Sequence, residues 1–215
     1  MDALAPTPET ALDQGRVTAV AERLLNLGLA GSVLWWTGLS LQMATAWAPV
    51  HVAIAGLNLT VAVLLATRES EQRAAAWTDI GLCLPAVVSG GLALKLAADP
   101  TAWPLIAQMM FIIGSVGAVG SLLALGKSFS VMPGVRSIVE TGPYALVRHP
   151  AYAAQFLMIL ACSIVVSGPW GIALAVASFA TLAVRINVEE RLLLKEPQYA
   201  AYAARVTSRF VPGLW

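Results

Sequence analysis

Six apolar stretches, separated by polar connections, constrain this chain more than any other feature of its sequence. A helix needs about 20 apolar residues to cross the hydrocarbon core of a bilayer. Charged residues make up only 12% of the chain, whereas soluble domains carry about 25%. The sequence therefore predicts an all-α, polytopic membrane protein with five or six transmembrane helices. The six stretches are Leu24–Ala46, Val50–Thr67, Trp77–Ala97, Leu105–Leu125, Tyr152–Val166 and Trp170–Val184.

The last two stretches are the shortest, and only Ser167-Gly168-Pro169 joins them. They predict a C-terminal helical hairpin whose two arms, at 15 residues each, are short for a bilayer crossing, and the sequence leaves open whether they cross fully. The segment that follows, Glu189–Arg209, contains enough Leu, Ala and Tyr to form an amphipathic helix broken near Pro197. Such a helix would lie on the membrane or close over a cytoplasmic site.

The distribution of Lys and Arg predicts the orientation. If every stretch crosses the membrane, Lys95 lies on one side and the other 12 of the 13 cations lie on the opposite side. Positively charged loops stay in the cytoplasm. We therefore expect an even number of crossings, with both termini and the long loop Gly126–Val147 in the cytoplasm. The Ala-rich helices suggest a bacterial chain, and hence the bacterial inner (cytoplasmic) membrane.

Several other classes of site are not predicted. The chain has no basic block, which argues against a nucleic-acid partner. Cys83 and Cys162 fall within apolar stretches and are expected to be buried small hydrophobes, in neither a disulfide nor a metal site. The segment Gly114–Gly120 lacks the GxGxxG spacing and the strand–turn context of a nucleotide loop. Its small residues instead predict close helix packing.

The first of two polar motifs is Gly142–Tyr152. Charged groups close to lipid are costly and usually mark function. Pro150 is well placed as the first residue of a helix, because its missing N–H costs nothing there. Arg148 and His149 then precede a helix N-terminus, which favours anions. The alternative is interfacial anchoring, with Arg148 on phospholipid headgroups.

The second motif is Arg185–Leu193. Arg185 and Glu189 are four residues apart and share a helix face, whereas Glu190 points about 100° away. The simplest interpretation is an ion pair between Arg185 and Glu189 at the end of a helix. Carboxylates beside an apolar hairpin would also suit a cationic ligand, and the spacing leaves both interpretations open.

The two motifs together carry a family resemblance. The pattern G-P-Y-x-L-V-R-H-P-x-Y, an apolar hairpin, R-x3-E-E-x-x-L and a Y-x2-Y tail ending in P-G resembles the isoprenylcysteine carboxyl methyltransferase family. Phospholipid methyltransferases share much of the pattern, which covers roughly residues 125–213. The resemblance implies N-terminal membrane helices over residues 1–125 and a methyltransferase-like region over residues 126–215, within one integrated membrane domain. It also implies that S-adenosyl-L-methionine binds the cytoplasmic loop and tail without a Rossmann domain.

The resemblance further implies the roles of individual residues. Glu189 would contact the cofactor, and Arg185 would match the arginine that holds the substrate. A carboxylate such as Glu189 suits the cofactor's ammonium group, and the helix start at Pro150 suits its carboxylate. The residues implied to bind the cofactor are Arg136, Ser137, Ile138, Val139, Tyr144, Arg148, His149, Pro150, Tyr152, Glu189 and Glu190.

Several activities fit this resemblance. The nearest named activity is carboxyl O-methylation of an isoprenylcysteine-type acid, and the partners are then the bilayer and a lipophilic or lipidated substrate. N-methylation of a phospholipid amine and S-methylation of a small thiol are the alternatives. Sterol-reductase-like membrane proteins share this kind of C-terminal architecture but use a nicotinamide cofactor. A small transporter or assembly factor is a third class, for which we expect internal symmetry or charges paired at mid-membrane. No particular oligomeric state is predicted.

Overall fold

The computed structural model of the chain describes residues 8–43, 48–68, 73–74, 76–131, 134–135, 137–213 and 215. Its helices are α1 (Pro8–Met43), α2 (Pro49–Thr67), α3 (Trp77–Leu96), α4 (Leu105–Leu125), α5 (Pro150–Val165), α6 (Pro169–Leu193) and α7 (Pro197–Arg205). Two short strands, β1 (Arg73–Ala74) and β2 (Gly134–Val135), pair in antiparallel fashion. This pair is a small addition to the helical fold that the sequence predicts.

Five described segments are long and apolar enough to cross a membrane: Arg23–Gln42, Pro49–Thr67, Trp77–Leu96, Leu105–Ser128 and Pro169–Leu193. The remaining apolar helix, α5, spans about 24 Å at 1.5 Å per residue and is shorter than the hydrocarbon core of about 30 Å. Helices α5 and α6 pack against each other as the predicted hairpin. The prediction of a polytopic helical membrane protein is therefore confirmed.

Helix α6 continues well beyond the apolar stretch that predicted it. The expected end was Val184, but the helix runs unbroken to Leu193 and carries the whole second motif. The predicted tail helix from Glu189 is therefore wrong at its start, although the break near Pro197 is correct. The polar residues do not end the helix because they face protein partners: Arg185 and Glu190 are only 5% and 2% exposed.

Helices α4 and α5 approach each other closely at Gly114. A methyl group added at Gly114 would lie 2.7 Å from Met158 Cγ and 2.9 Å from the carbonyl oxygen of Ala154. The Ser115 hydroxyl donates to the sulfur of Met158 at 3.2 Å. These contacts confirm that the glycine-rich segment serves helix packing.

We expect Gly114→Ala to destabilise the protein, because the added methyl group overlaps backbone as well as side-chain atoms. Overpacking of this kind costs about 1–3 kcal/mol. Gly120→Ala is a matched control on the same helix, since an added methyl group there meets no atom within 4 Å. Thermal unfolding of both variants in detergent tests this, and equal midpoints would contradict the packing assignment.

The polar connections meet at one end of the bundle. Strand β1 of the α2–α3 connection pairs with β2 of the α4–α5 connection. Arg191 near the end of α6 pairs with Asp79 at the start of α3 at 2.6 Å. The backbone N–H groups of residues 148 and 149 donate to the carbonyl oxygens of residues 208 and 209. Both sequence motifs and the C-terminal tail are thereby brought together.

Candidate functional site

A cavity of about 570 Å³ opens among these connections and continues between the helices. Its polar end, which we call the chamber, contains residues of both motifs together with Tyr199 and Tyr202 of α7. Its inner part, which we call the apolar arm, is lined on α2 from Ile54 to Val61, on α3 from Val87 to Leu94, and by Phe111, Ala118, Met158, Ile159 and Cys162. One continuous space therefore joins the polar chamber to the apolar interior of the helix bundle.

Most of the predicted site residues line this cavity. Pro150 and Glu190 do not, and Arg136 lies outside the described residues. Pro150 begins α5 as predicted and is buried, while the next residue, Ala151, lines the cavity. The nine predicted residues that line it are Ser137, Ile138, Val139, Tyr144, Arg148, His149, Tyr152, Arg185 and Glu189.

Glu190 lies behind the chamber wall at the centre of a buried group that we call the Glu190 cluster. Its Oε1 accepts hydrogen bonds from His149 Nε2 and the Tyr199 hydroxyl, both at 2.8 Å. Arg148 Nε lies 3.3 Å from the same oxygen. An ionised carboxylate only accepts, which places a hydrogen on His149 Nε2. Burial, reinforced by Glu190, raises the pKa of Tyr199 above its usual value.

Glu189 forms a second group, the Glu189 cluster, in the chamber wall itself. It accepts hydrogen bonds from the Tyr152 hydroxyl and from Arg185 Nε, the latter at 3.1 Å. Arg185 Nη2 also donates to the Val131 carbonyl oxygen at 2.5 Å, and its guanidinium carbon lies 4.8 Å from the Tyr152 ring centroid. The expected ion pair within α6 is therefore present, but it lies inside a cavity rather than on an exposed helix end.

Neighbouring carboxylates thus occupy different environments. Glu189 faces the chamber and Glu190 faces its supporting layer, as a separation of about 100° on a helix requires. His149 lies between them: its Nδ1 is 4.0 Å from Glu189 Oε2, and its ring stacks on that of Tyr152 with centroids 5.6 Å apart. The two clusters form one layered wall.

The tail helix α7 supplies site residues to which the sequence analysis gave no role. Tyr199 and Tyr202 are buried and line the chamber. The Tyr202 hydroxyl donates to the Tyr144 carbonyl oxygen at 2.7 Å, and burial raises the pKa of Tyr202 to about 12. Tyr199 and Tyr202 are three residues apart, which places both rings on one helix face. This spacing is the sequence signal that could have indicated a shared role in the site. The tail was predicted either to lie on the membrane or to close over a site, and in the structure it closes over the chamber.

Comparison with known protein families gives a match to part of this arrangement. Residues 103–200 match the phospholipid methyltransferase family. The match confirms the family resemblance seen in the two motifs, and it includes every residue predicted to form the site. A comparison with curated proteins gave no match.

The phospholipid methyltransferase match begins just before α4. It therefore includes α4, α5, α6 and the connection carrying the first motif. It excludes α2 and α3, although both line the apolar arm. The chamber thus belongs to the matched region except for Tyr202, while part of the arm is built by the preceding helices.

Proposed function

We propose that this protein is an integral membrane methyltransferase that moves a methyl group from S-adenosyl-L-methionine to a lipophilic acceptor. The observation that carries the proposal is one continuous cavity in which a charged chamber opens into an apolar arm. A water-soluble cofactor and a lipid-soluble acceptor can meet only where such environments adjoin. The match to a family of methyltransferases supports transfer chemistry at this place.

The chamber has groups that suit each part of the cofactor. S-adenosyl-L-methionine, when bound, supplies an electrophilic methyl group on a positively charged sulfur. Glu189 offers a carboxylate for its ammonium group, and Arg148 with the start of α5 offers positive charge for its carboxylate. The stacked rings of His149 and Tyr152 form an aromatic wall. The other proposed pocket residues are Ser137, Ile138, Val139 and Tyr144, with Arg136 retained from the sequence prediction.

Glu190 is assigned a positioning role rather than a contact with the cofactor. It does not line the cavity, but its Oε1 holds His149 and lies beside Arg148. Without Glu190, Arg148 would lose a neighbouring negative charge and His149 would lose its acceptor, and both losses are costly for buried groups. Glu190 therefore fixes the orientation of two chamber residues.

Arg185 is proposed to orient an acidic acceptor. Methyl transfer is an in-line displacement, so its rate depends on holding the nucleophile close to the methyl group in the right direction. A carboxylate is already ionised at neutral pH and needs no general base. Nε and Nη2 of Arg185 contact Glu189 and Val131, and the guanidinium has five donors in all. The Nη1 side can therefore meet an acceptor carboxylate without breaking these bonds.

An amine acceptor is the second candidate, because the matched family is described as phospholipid methyltransferase. An amine must lose its proton before it attacks, so its methylation rate would rise with pH towards the amine pKa. A carboxylate acceptor would show no such rise above neutral pH.

For either acceptor, we propose that the chamber and both termini lie on the cytoplasmic side of a bacterial inner membrane, because of the cation distribution.

Calorimetric titration of the detergent-purified protein with S-adenosyl-L-methionine, and with its demethylated product, tests the proposal. We expect saturable binding that Glu189→Ala weakens by about 10-fold to 100-fold, the value of hydrogen bonds to charged groups. Asp99→Ala is the control, because Asp99 is an exposed carboxylate between α3 and α4. Folded wild-type protein that binds neither ligand, but binds a nicotinamide cofactor, would support the reductase alternative instead.

A further inference from the structure

Two amide side chains, Asn58 on α2 and Gln155 on α5, interrupt the apolar part of the cavity wall. They are the only Asn and Gln side chains among the described residues that line the cavity. Gln155 lies between Tyr152 of the chamber and Met158 of the arm, about 8 Å along α5 from its start. Asn58 lies deeper, about 14 Å along α2 from Thr67 at the polar end of the bundle. A ligand that occupies the arm therefore passes both amides.

The partner of Gln155 fixes the orientation of its amide group. Gln155 Nε2 lies 3.0 Å from the Ala86 carbonyl oxygen of α3, which also accepts a hydrogen bond from the Ser89 hydroxyl at 2.8 Å. Because a carbonyl oxygen can only accept, the amide nitrogen must be the atom that faces it. The amide oxygen of Gln155 is thereby kept away from this contact between α3 and α5.

The orientation of the Asn58 amide is fixed by a chain of two hydrogen bonds. The hydroxyl of Thr37 on α1 donates its hydrogen to the Val33 carbonyl oxygen at 2.7 Å. A hydroxyl has one hydrogen, so the Thr37 oxygen accepts from Asn58 Nδ2, which lies 2.8 Å away. Both amides therefore use their nitrogen to join helices, and the oxygen of each is left for another partner.

The two amide oxygens are available to a ligand. Among the described residues, none donates a hydrogen bond to either oxygen. Both side chains are half-buried, and neither oxygen is fully enclosed by protein. A hydrogen-bond acceptor in apolar surroundings favours a ligand that donates to it, because leaving the acceptor unpaired is costly. An ionised donor would itself be poorly solvated at this depth, so the matching group on the ligand is uncharged.

We propose that Gln155 and Asn58 determine specificity by selecting a lipophilic methyl acceptor that carries a hydroxyl group within its apolar part. That the lipid is a methyl acceptor rests on the function proposed above. A hydroxyl near the polar end of the lipid donates to Gln155 Oε1, where the arm meets the chamber, and one farther along donates to Asn58 Oδ1. A hydroxyl is the smallest uncharged donor, and it brings no carbonyl oxygen that would need a donor of its own. A plain hydrocarbon chain leaves both oxygens unpaired and binds less tightly.

Binding of hexadecanoic acid and of its monohydroxy derivatives, with the hydroxyl placed progressively farther from the carboxyl group, tests the proposal without any need for activity. Each Kd is measured by competition with a fluorescent fatty acid. The ratio of the Kd of a derivative to that of the parent acid is compared between variants, so that partition into detergent cancels. We expect the wild type to prefer derivatives in the series. Gln155→Met should reduce that preference by about 2-fold to 10-fold, the net value of one hydrogen bond, and Asn58→Leu should do so for a hydroxyl farther along the chain. Hexadecylamine and its monohydroxy derivatives are measured in the same way, since an amine is the second candidate acceptor.

Gln108→Met is the matched control. Gln108 also donates through Nε2 to a backbone carbonyl oxygen, that of Trp103 at 2.9 Å, but it does not line the cavity. Its preference for hydroxylated chains should equal that of the wild type. Gln155→Met also loses the bond to Ala86, so thermal unfolding is measured for every variant, and Asn58→Leu gives an independent result if Gln155→Met does not fold. Equal Kd ratios in the wild type and the folded variants, for both the acids and the amines, would overturn the proposal.

The same compounds separate this proposal from the proposed function. If the wild type binds no S-adenosyl-L-methionine but prefers a hydroxylated chain through Gln155, the proposed function fails and the two amides still select a hydroxylated ligand. If the wild type methylates the parent compound and every monohydroxy derivative with equal kcat/KM, methyl transfer stands and the two amides do not determine specificity.

Discussion

Glu190→Ala is expected to destabilise this protein by about 3–5 kcal/mol, the cost of removing one partner from a buried charge pair. The carboxylate is 2% exposed and meets Arg148, His149 and Tyr199 at a single oxygen. Its loss leaves a buried guanidinium without its counter-charge and a buried imidazole without its acceptor. Thermal unfolding in detergent measures the effect, which should lower the midpoint by on the order of 10 °C.

Two further variants define what is lost. Glu190→Gln keeps an acceptor oxygen without the negative charge, so its midpoint should lie between those of the wild type and Glu190→Ala. Glu140→Ala is the control, because Glu140 pairs with Arg205, whose side chain is 61% exposed, and exposed pairs contribute about 0–1 kcal/mol. Equal unfolding midpoints for Glu190→Ala and Glu140→Ala would show that the Glu190 cluster does not hold the wall together.

Arg185→Ala is expected to reduce kcat/KM for a carboxylic acceptor by about 100-fold, the effect of a misplacement of about 1 Å on an oriented reaction. Arg185→Lys should recover little of this, because an ammonium lacks the planar fork that binds a carboxylate through two parallel bonds. The control is Arg191→Ala, since Arg191 lies on the same helix but is 60% exposed and pairs with Asp79 outside the cavity. Initial rates with saturating cofactor provide the measurement.

The same variant discriminates between acceptors. If an amine is the acceptor, Arg185→Ala should change the rate much less, because a cationic headgroup gains nothing from a guanidinium. Cofactor affinity is measured in parallel, since Arg185 also bonds to Glu189. Unchanged methylation of every accepted substrate by Arg185→Ala would remove the arginine from the acceptor site.

The helices could be predicted from the sequence because lipid imposes a minimum apolar length on each of them. The polar ends of the helices could not be predicted in this way, as α6 shows. An apolar run marks where a helix meets lipid, whereas the helix itself continues to Leu193 because Arg185 and Glu190 find partners on α5 and neighbouring segments. Local hydropathy carries no information about such partners.

The candidate site could likewise be predicted only in part. The spacing of Glu189 and Glu190 required them to face different ways, but which one faces the chamber depends on how α6 docks against α5. The stripe from Ile54 to Val61 looks like an ordinary packing face, so the apolar arm was not foreseen. Its existence depends on the distance between α2 and α3, which only the three-dimensional arrangement fixes. The division of the chain at residues 125 and 126 remains a prediction.

The hydrogen bonds from residues 148 and 149 to residues 208 and 209 have a consequence for biosynthesis. The second pair is synthesised 60 residues after the first, and after both arms of the hairpin. The start of α5 therefore cannot reach its final geometry until the hairpin has entered the membrane and the tail has returned to it. The chamber is therefore completed after the hairpin, so a chain still in the insertion machinery does not yet present its finished wall.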